Sequence, residues 1–421
     1  MRRVNGIVIG ILAVLAIGTA AFARDLALIE IGRAALAKGE VARAFAAFDR
    51  AIETDPGNAE AYNARGVAWF ERKDYERARA DFDAAIRLAP DDARAFNNRG
   101  NVSDELGRSE QAIADYDQAI RLAPKAAAPY LNRGIARRRL GALDTALSDL
   151  EQAVRLDPKN ANAHNEYALV LQAKRSYAAA IASFSQAIRL EPKWALLYNN
   201  RGSAWSDKGH RQRALRDFNR ALRINPHNAL AYYNRGINWQ RQGADTRAIH
   251  DFDQSLRLDP DFAPAYNNRG LSHEERDEID RAITDYNQAI RLNPSLAAAY
   301  NNRGNAWQKK RNTERAIADF TKAIALDPDD ALAPFNRAGT LQQAGRLKEA
   351  LADLDRSIAL DPKRAQPFHA RGQVHEKLGD RAEAIADYRK AVAIDTAYAE
   401  PAQALKRLGA PHEPSYLRRP L

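Results

Sequence analysis

From residue 25 onward, small and aromatic residues fall in two short sets that recur every 34 positions. In residues 59–92 the first set is Tyr62, Gly66 and Trp69, and the second is Ala78, Phe82 and Ala85. Steps of three and four residues place each set on one face of a helix, so every copy predicts two amphipathic helices. Lys73-Asp74 lies between them as a turn, Pro90 stops the second helix, and Asp91-Asp92 stands ready to cap the next. Each copy therefore reads as an antiparallel helix pair. Segments such as AYNARG (61–66), AFNNRG (95–100), LYNNRG (197–202) and AYNNRG (265–270, 299–304) hold the frame over eleven copies, from about residue 25 to 398, without insertion or deletion. A strict period of this length implies stacked units that share a continuous core between neighbours, and not a globule with one centre.

Numbering each copy from the residue equivalent to Ala59, position 20 is Ala in all eleven, from Ala44 to Ala384. A methyl group there lets two helix axes approach, and a ring at position 24 (Phe82, Tyr116, Phe184, Phe218, Phe252, Tyr286, Phe320) fills the gap. Position 32 is Pro in ten copies, with Thr396 the exception. These aromatic, Gly, Ala and Pro positions resemble the tetratricopeptide repeat family over about 370 of the 421 residues. The resemblance implies an all-α, right-handed superhelical solenoid of about eleven 34-residue repeats, with the first helix of each pair lining a concave groove. It also implies a non-enzymatic role in binding peptides or assembling complexes.

The copies can be compared with one another. Position 7 is Arg in nine of them (Arg65, Arg99, Arg133, Arg201, Arg235, Arg269, Arg303, Arg337, Arg371), and position 23 is Asp in the same nine (Asp81, Asp115, Asp149, Asp217, Asp251, Asp285, Asp319, Asp353, Asp387). The two exceptions lose both partners, as Ile31/Ala47 and Tyr167/Ser183. A salt bridge within each repeat is expected, and it withdraws nine arginines from the list of ligand groups.

Seven copies carry Asn at position 6: Asn98, Asn132, Asn200, Asn234, Asn268, Asn302 and Asn336. Asn is a modest helix former, so its recurrence near the middle of first helices calls for a reason. One reading is a ladder of amides that grips an extended peptide main chain, similar to the asparagine ladders of some tetratricopeptide proteins; the other is that each amide satisfies a neighbouring helix. A second Asn at position 5 (Asn63, Asn97, Asn165, Asn199, Asn267, Asn301) reads as plain exposed polarity. Position 29 is Arg in seven consecutive copies, from Arg87 to Arg291, which suits a helix C-terminus. Arg137-Arg138-Arg139 and Lys309-Lys310-Arg311 read as solvated basic spots, and His164, His273 and His375 as packing residues. No zinc-protease motif, phosphate loop or nucleophile elbow occurs, so no catalytic residue, metal site or cofactor is expected.

Composition changes the picture at the ends. Residues 1–23 join Arg2-Arg3, an apolar run over 6–17 and Ala21-Phe22-Ala23, the pattern of a cleaved secretory signal. The alternative is an uncleaved anchor, since 6–23 is near the lower limit for spanning. Both place the repeats outside the cytoplasm, in the periplasm if the chain is bacterial: exported, or anchored in the inner membrane. The formal charge of +10 falls to +8 without Arg2 and Arg3, a mild bias over so long a chain. With no aromatic interleaving of the basic residues, nucleic acid is not an expected partner. Repeat 1 carries Leu26 and Ile29 where other copies tend to be polar, an apolar surface for a membrane-proximal partner. Residues 399–409 read as a capping helix, with Ala402, Leu405 and Leu408 inward, and 410–421 as a disordered tail. The expectation is a scaffold for protein or peptide partners in envelope assembly or secretion; a self-associating module, a homo-oligomer held at the membrane through 6–23, is the alternative.

Overall fold

A computed structural model describes residues 26–410. The leader or anchor expected over 1–23 and the tail from 411 onward lie outside the described residues. Among the described residues every regular element is a helix: ten hairpins, the two helices of repeat 6, and one terminal helix, Ala399–Arg407. The chain divides into two compact units, one ending at His210 and the other beginning at Arg211. The first holds the hairpins of repeats 1–5 and the first helix of repeat 6 (Ala195–Asp207); the second holds the second helix of repeat 6 (Arg211–Ile224), repeats 7–11 and the terminal helix.

Repeat 2 shows why the sequence folds this way. Its helices, Ala59–Glu71 and Tyr75–Leu88, begin where Asn58 and Asp74 accept from the backbone N–H groups of Ala61 and Arg77. The turn between them needs one left-handed residue, and position 15 has positive φ in all eleven repeats. It is Gly in seven of them; Lys73, Arg175, Asp277 and Arg311 take the same conformation without that freedom. Position 20 is fully buried throughout. A Cβ on Gly66 would stand 2.6 Å from Cε1 of Phe82, and one on Gly304 2.7 Å from Cε1 of Phe320, so in these repeats the ring at position 24 fills the space beside the glycine at position 8; repeat 5 instead packs Ala168 in one cluster with Phe184.

Within each unit a first helix packs on its own second helix, and that second helix packs on the first helix of the next repeat. Successive first helices also touch each other, forming an inner rank. The all-α repeat solenoid expected from the sequence is the fold of each unit.

The ends differ in detail from expectation. Ile29 is 1% exposed and packs in the core of repeat 1 against Phe48 and Ala61, whereas Leu26 (49%) and Ile31 (44%) are the exposed apolar residues there. The terminal helix starts at Ala399 and packs on Tyr388 and Val392 with Leu405 buried and Leu408 half-buried as expected; Ala402 is exposed, because the inward stripe runs through Pro401, Ala404, Leu405 and Leu408. Gly409 stops it in the left-handed conformation.

Candidate partner-binding face

The rank of first helices is bound together by its asparagines. Asn98 Nδ2 donates to Oδ1 of Asn63 at 3.0 Å, and the same 3.0 Å bond runs from Asn132 to Asn97, Asn200 to Asn165, Asn302 to Asn267 and Asn336 to Asn301. Asn268 reaches the hydroxyl of Tyr233 instead, at 2.8 Å. Position 6 of one repeat thus donates to position 5 of the repeat before. Asn234 is also partnered.

The position-5 asparagines are not the exposed polar residues the sequence suggested. Asn63, Asn165, Asn199 and Asn267 are buried, and Asn97 and Asn301 are half-buried. A polar residue on a first helix becomes interior when the next repeat stacks over it, and a buried amide needs a partner. The position-6 amides stay half-exposed on the rank. Of the two alternatives for them, each rung just described serves a neighbouring helix through its Nδ2, Asn132 reaching both Asn97 and Asn101, and part of each residue stays accessible.

A second connection ties the two helices of a repeat and reaches the repeat before. Arg99 Nε and Nη2 close a fork on the carboxylate of Asp115 at 3.0 and 2.5 Å, and the same arrangement joins the pairs 65/81, 133/149, 235/251, 269/285, 303/319, 337/353 and 371/387. Eight of the nine expected bridges are therefore formed inside the two units; the members of the ninth pair, Arg201 and Asp217, belong to different units. Each arginine has a third arm that the sequence reading missed. Nη1 of Arg65, Arg99, Arg133, Arg269 and Arg371 donates to Asp49, Asp83, Asp117, Asp253 and Asp355 of the preceding repeat, at position 25. Elsewhere Ser185, Asn219, Asn287 and Thr321 accept it. These carboxylates raise the guanidinium pKa of Arg65, Arg99 and Arg371 above its ordinary value, chiefly through the same-repeat aspartate.

Tetratricopeptide repeat models match residues 29–93, 73–127, 97–151, 131–194, 195–228, 297–330 and 365–398, and a model described as TPR repeat matches 275–310, together well over half of the chain. The chain belongs to the tetratricopeptide repeat family. Among solved structures, a chain of the APC/C hetero-tetramer Cut9-Hcn1 is 15% identical, with 93% of this chain and 97% of that chain covered and a TM-score of 0.53. Yeast Tom70 is 16% identical over 92% and 95% of the two chains, with a TM-score of 0.49. YrrB, a TPR protein with an unusual peptide-binding site, is 25% identical over 44% and 95%, with a TM-score of 0.38. No curated protein matches the chain. The first of these likenesses supports the fold.

As a tetratricopeptide repeat protein, the chain is a scaffold of a kind typical of protein–protein interaction. Its two basic spots are not free for a ligand. Arg137 donates to Asp149 at 2.7 Å, Arg138 lies 3.0 Å from Glu166 and Arg139 donates to Asp104 at 2.6 Å. Lys309 pairs with Glu274 at 3.0 Å and Lys310 with Asp280, while Arg311 is the left-handed turn residue. Both spots join neighbouring repeats, which a charge run in sequence does not reveal.

The acids at position 12 have a second function. Glu274 accepts from the buried Tyr286 hydroxyl at 2.9 Å and Glu376 from Tyr388 at 2.6 Å, and Tyr116 donates to Asn101 beside Asp104. Position 12 is acidic only in the three repeats whose position 24 is Tyr, a covariation present in the sequence. His164 and His273 are buried and hydrogen-bonded to Pro158 O and Glu278, as packing residues are. Among the described residues no three His, Asp or Glu side chains converge to hold a metal, and no helix is long and apolar enough to cross a membrane.

Proposed function

We propose that the chain is an exported scaffold that binds extended peptide segments or partner proteins along the rank of first helices, in envelope assembly or secretion. The half-exposed amides carry this reading. Asn302 and Asn336 each commit one N–H to the preceding repeat and retain a second N–H and a carbonyl oxygen. Neighbouring helices stand about 8–10 Å apart, close to three residues of extended chain, so one rung per repeat suits a main chain laid along the rank. Such a ladder holds peptide backbone without reading side chains. Export is supported by Arg2-Arg3, the apolar run over 6–17 and Ala21-Phe22-Ala23. The anchored form, held through 6–23, presents the same face.

The test is cross-linking with mass spectrometry in the native envelope, beside a chain carrying Asn234→Ala, Asn268→Ala and Asn302→Ala. Loss of cross-linked partners is expected while the far-UV spectrum stays helical, with the melting curve lowered only modestly by the lost bonds to Asn267 and Tyr233. Retention of all partners removes the ladder. Self-association is a second reading, supported by the exposed Leu26 and Ile31 on the first helix; a dilute monomer in sedimentation velocity argues against it.

A further inference from the structure

The second helix of repeat 6, Arg211–Ile224, reads RQRALRDFNRALRI, five arginines against one aspartate. All five arginines are exposed and Asp217 is buried. Arg213, Arg216, Arg220 and Arg223 follow one stripe at three- and four-residue steps; Arg213 and Arg220 are partnered, and Arg216 and Arg223 are the two that bear on a cleft. Arg216 stands at position 22, where the other repeats carry Ala, Ser, Thr or a single His.

Arg216 and Arg223 flank an open cleft of about 530 Å³, with Asn219 and Leu222 between them and Arg235 of repeat 7 in its wall. No carboxylate lines it. The cleft at the joint of repeats 9 and 10, about 290 Å³, is also lined by arginines, but Glu349 and Asp353 line it with them. Position 25 adds to the difference: Nη1 of Arg235 meets Asn219 at 2.6 Å, whereas the equivalent arm of Arg269 meets the carboxylate of Asp253 at 2.7 Å. Arg235 has its carboxylate in Asp251, but Arg216 and Arg223 have no acidic partner among the described residues.

We propose that this cleft docks an acidic peptide segment of a partner protein, with two carboxylates paired to Arg216 and Arg223 and the chain between them over Asn219 and Leu222. Seven residues along a helix separate the two guanidinium stems by about 10 Å, the span of about three extended residues. The planar guanidinium accepts a carboxylate in a two-point fork. The pairing of two guanidinium groups across an apolar Leu222 suits a peptide chain with spaced carboxylates, and this helix exposes no aromatic ring on which a base could stack. The site belongs to a second helix, so it stands apart from the amide rank and does not depend on it.

Fluorescence anisotropy of a labelled hexaglutamate peptide with the full chain tests the assignment. Saturable binding that weakens with salt is expected, with affinity falling about tenfold or more in Arg216→Ala/Arg223→Ala. Arg216→Lys/Arg223→Lys should retain part of it, and Arg87→Ala/Arg121→Ala, at exposed helix ends of repeats 2 and 3, should retain all of it. Melting curves of the variants report folding; should the alanine pair fail to fold, Arg216→Gln/Arg223→Gln carries the same expectation. Affinity unchanged within about twofold in the repeat 6 variants, or an equal loss in the Arg87/Arg121 control, overturns the proposal. So does binding through Arg216 and Arg223 to phosphatidylglycerol vesicles or single-stranded DNA with none to the peptide.

Discussion

Arg235 joins three helices with one side chain. Its fork holds Asp251 at 2.7 Å on both arms, Nη1 reaches Asn219, and the guanidinium lies 5.5 Å from the ring centre of Tyr232 one turn earlier. Asp251 is 1% exposed, so its removal leaves Arg235 without a counter-charge. Asp251→Ala is expected to cost about 3 kcal/mol, read as a lower urea midpoint, against less than about 0.5 kcal/mol for the exposed Arg257→Ala. Equal effects would count against the bridge. The same-repeat pair was legible because both members disappear together in repeats 1 and 5. The third arm was not, because Asp, Ser, Asn and Thr all accept it and no single residue type marks the position. His369 illustrates a titration. Burial lowers its pKa below the ordinary 6.5, and its Nδ1 lies 2.6 Å from the Tyr398 hydroxyl. The folded chain therefore binds this proton less readily than the unfolded chain. The contribution to stability is full above about pH 6.5 and is lost as pH falls through the lowered value. Proton resonances of the His369 ring should titrate below the range of an exposed histidine; a midpoint at or above 6.5 would remove this account.

At the scale of the element, each hairpin depends on a left-handed turn and on a close helix approach. Arg311 adopts φ of 59° at the turn position that seven other repeats give to Gly. Arg311→Gly is expected to raise stability by about 1 kcal/mol in thermal or urea unfolding, since a side chain is strained in that region. A loss of similar size would show that the entropy of the unfolded glycine dominates. Ala282 is fully buried against Tyr286, so Ala282→Leu is expected to overpack the pair by about 1–3 kcal/mol. Helix boundaries were readable because Pro at position 32 and capping Asp or Asn mark them. The burial of Asn63, Asn165 and Asn267 was not, because it arises only when the next first helix covers them.

For the whole molecule, contacts are local, and stability should be distributed repeat by repeat. Leu405 of the terminal helix covers Tyr388 and Val392. Leu405→Asp is expected to speed amide exchange in repeat 11 and to leave repeats 1–5 unchanged; a uniform increase along the chain would contradict local coupling. The period made the architecture plain from sequence alone, while the acids that pair with the two basic spots were not legible, because all but Asp149 lie about one repeat away on another helix. The third arm of the position-7 arginine has a mechanical consequence. At position 25, Asp49, Asp83, Asp117, Asp253 and Asp355 close their seams with a full charge, whereas Ser185, Asn219, Asn287 and Thr321 offer that arm only a dipole. Under tension a joint with no ion pair across it would part before an ionic one, so resistance to pulling varies from joint to joint within each unit.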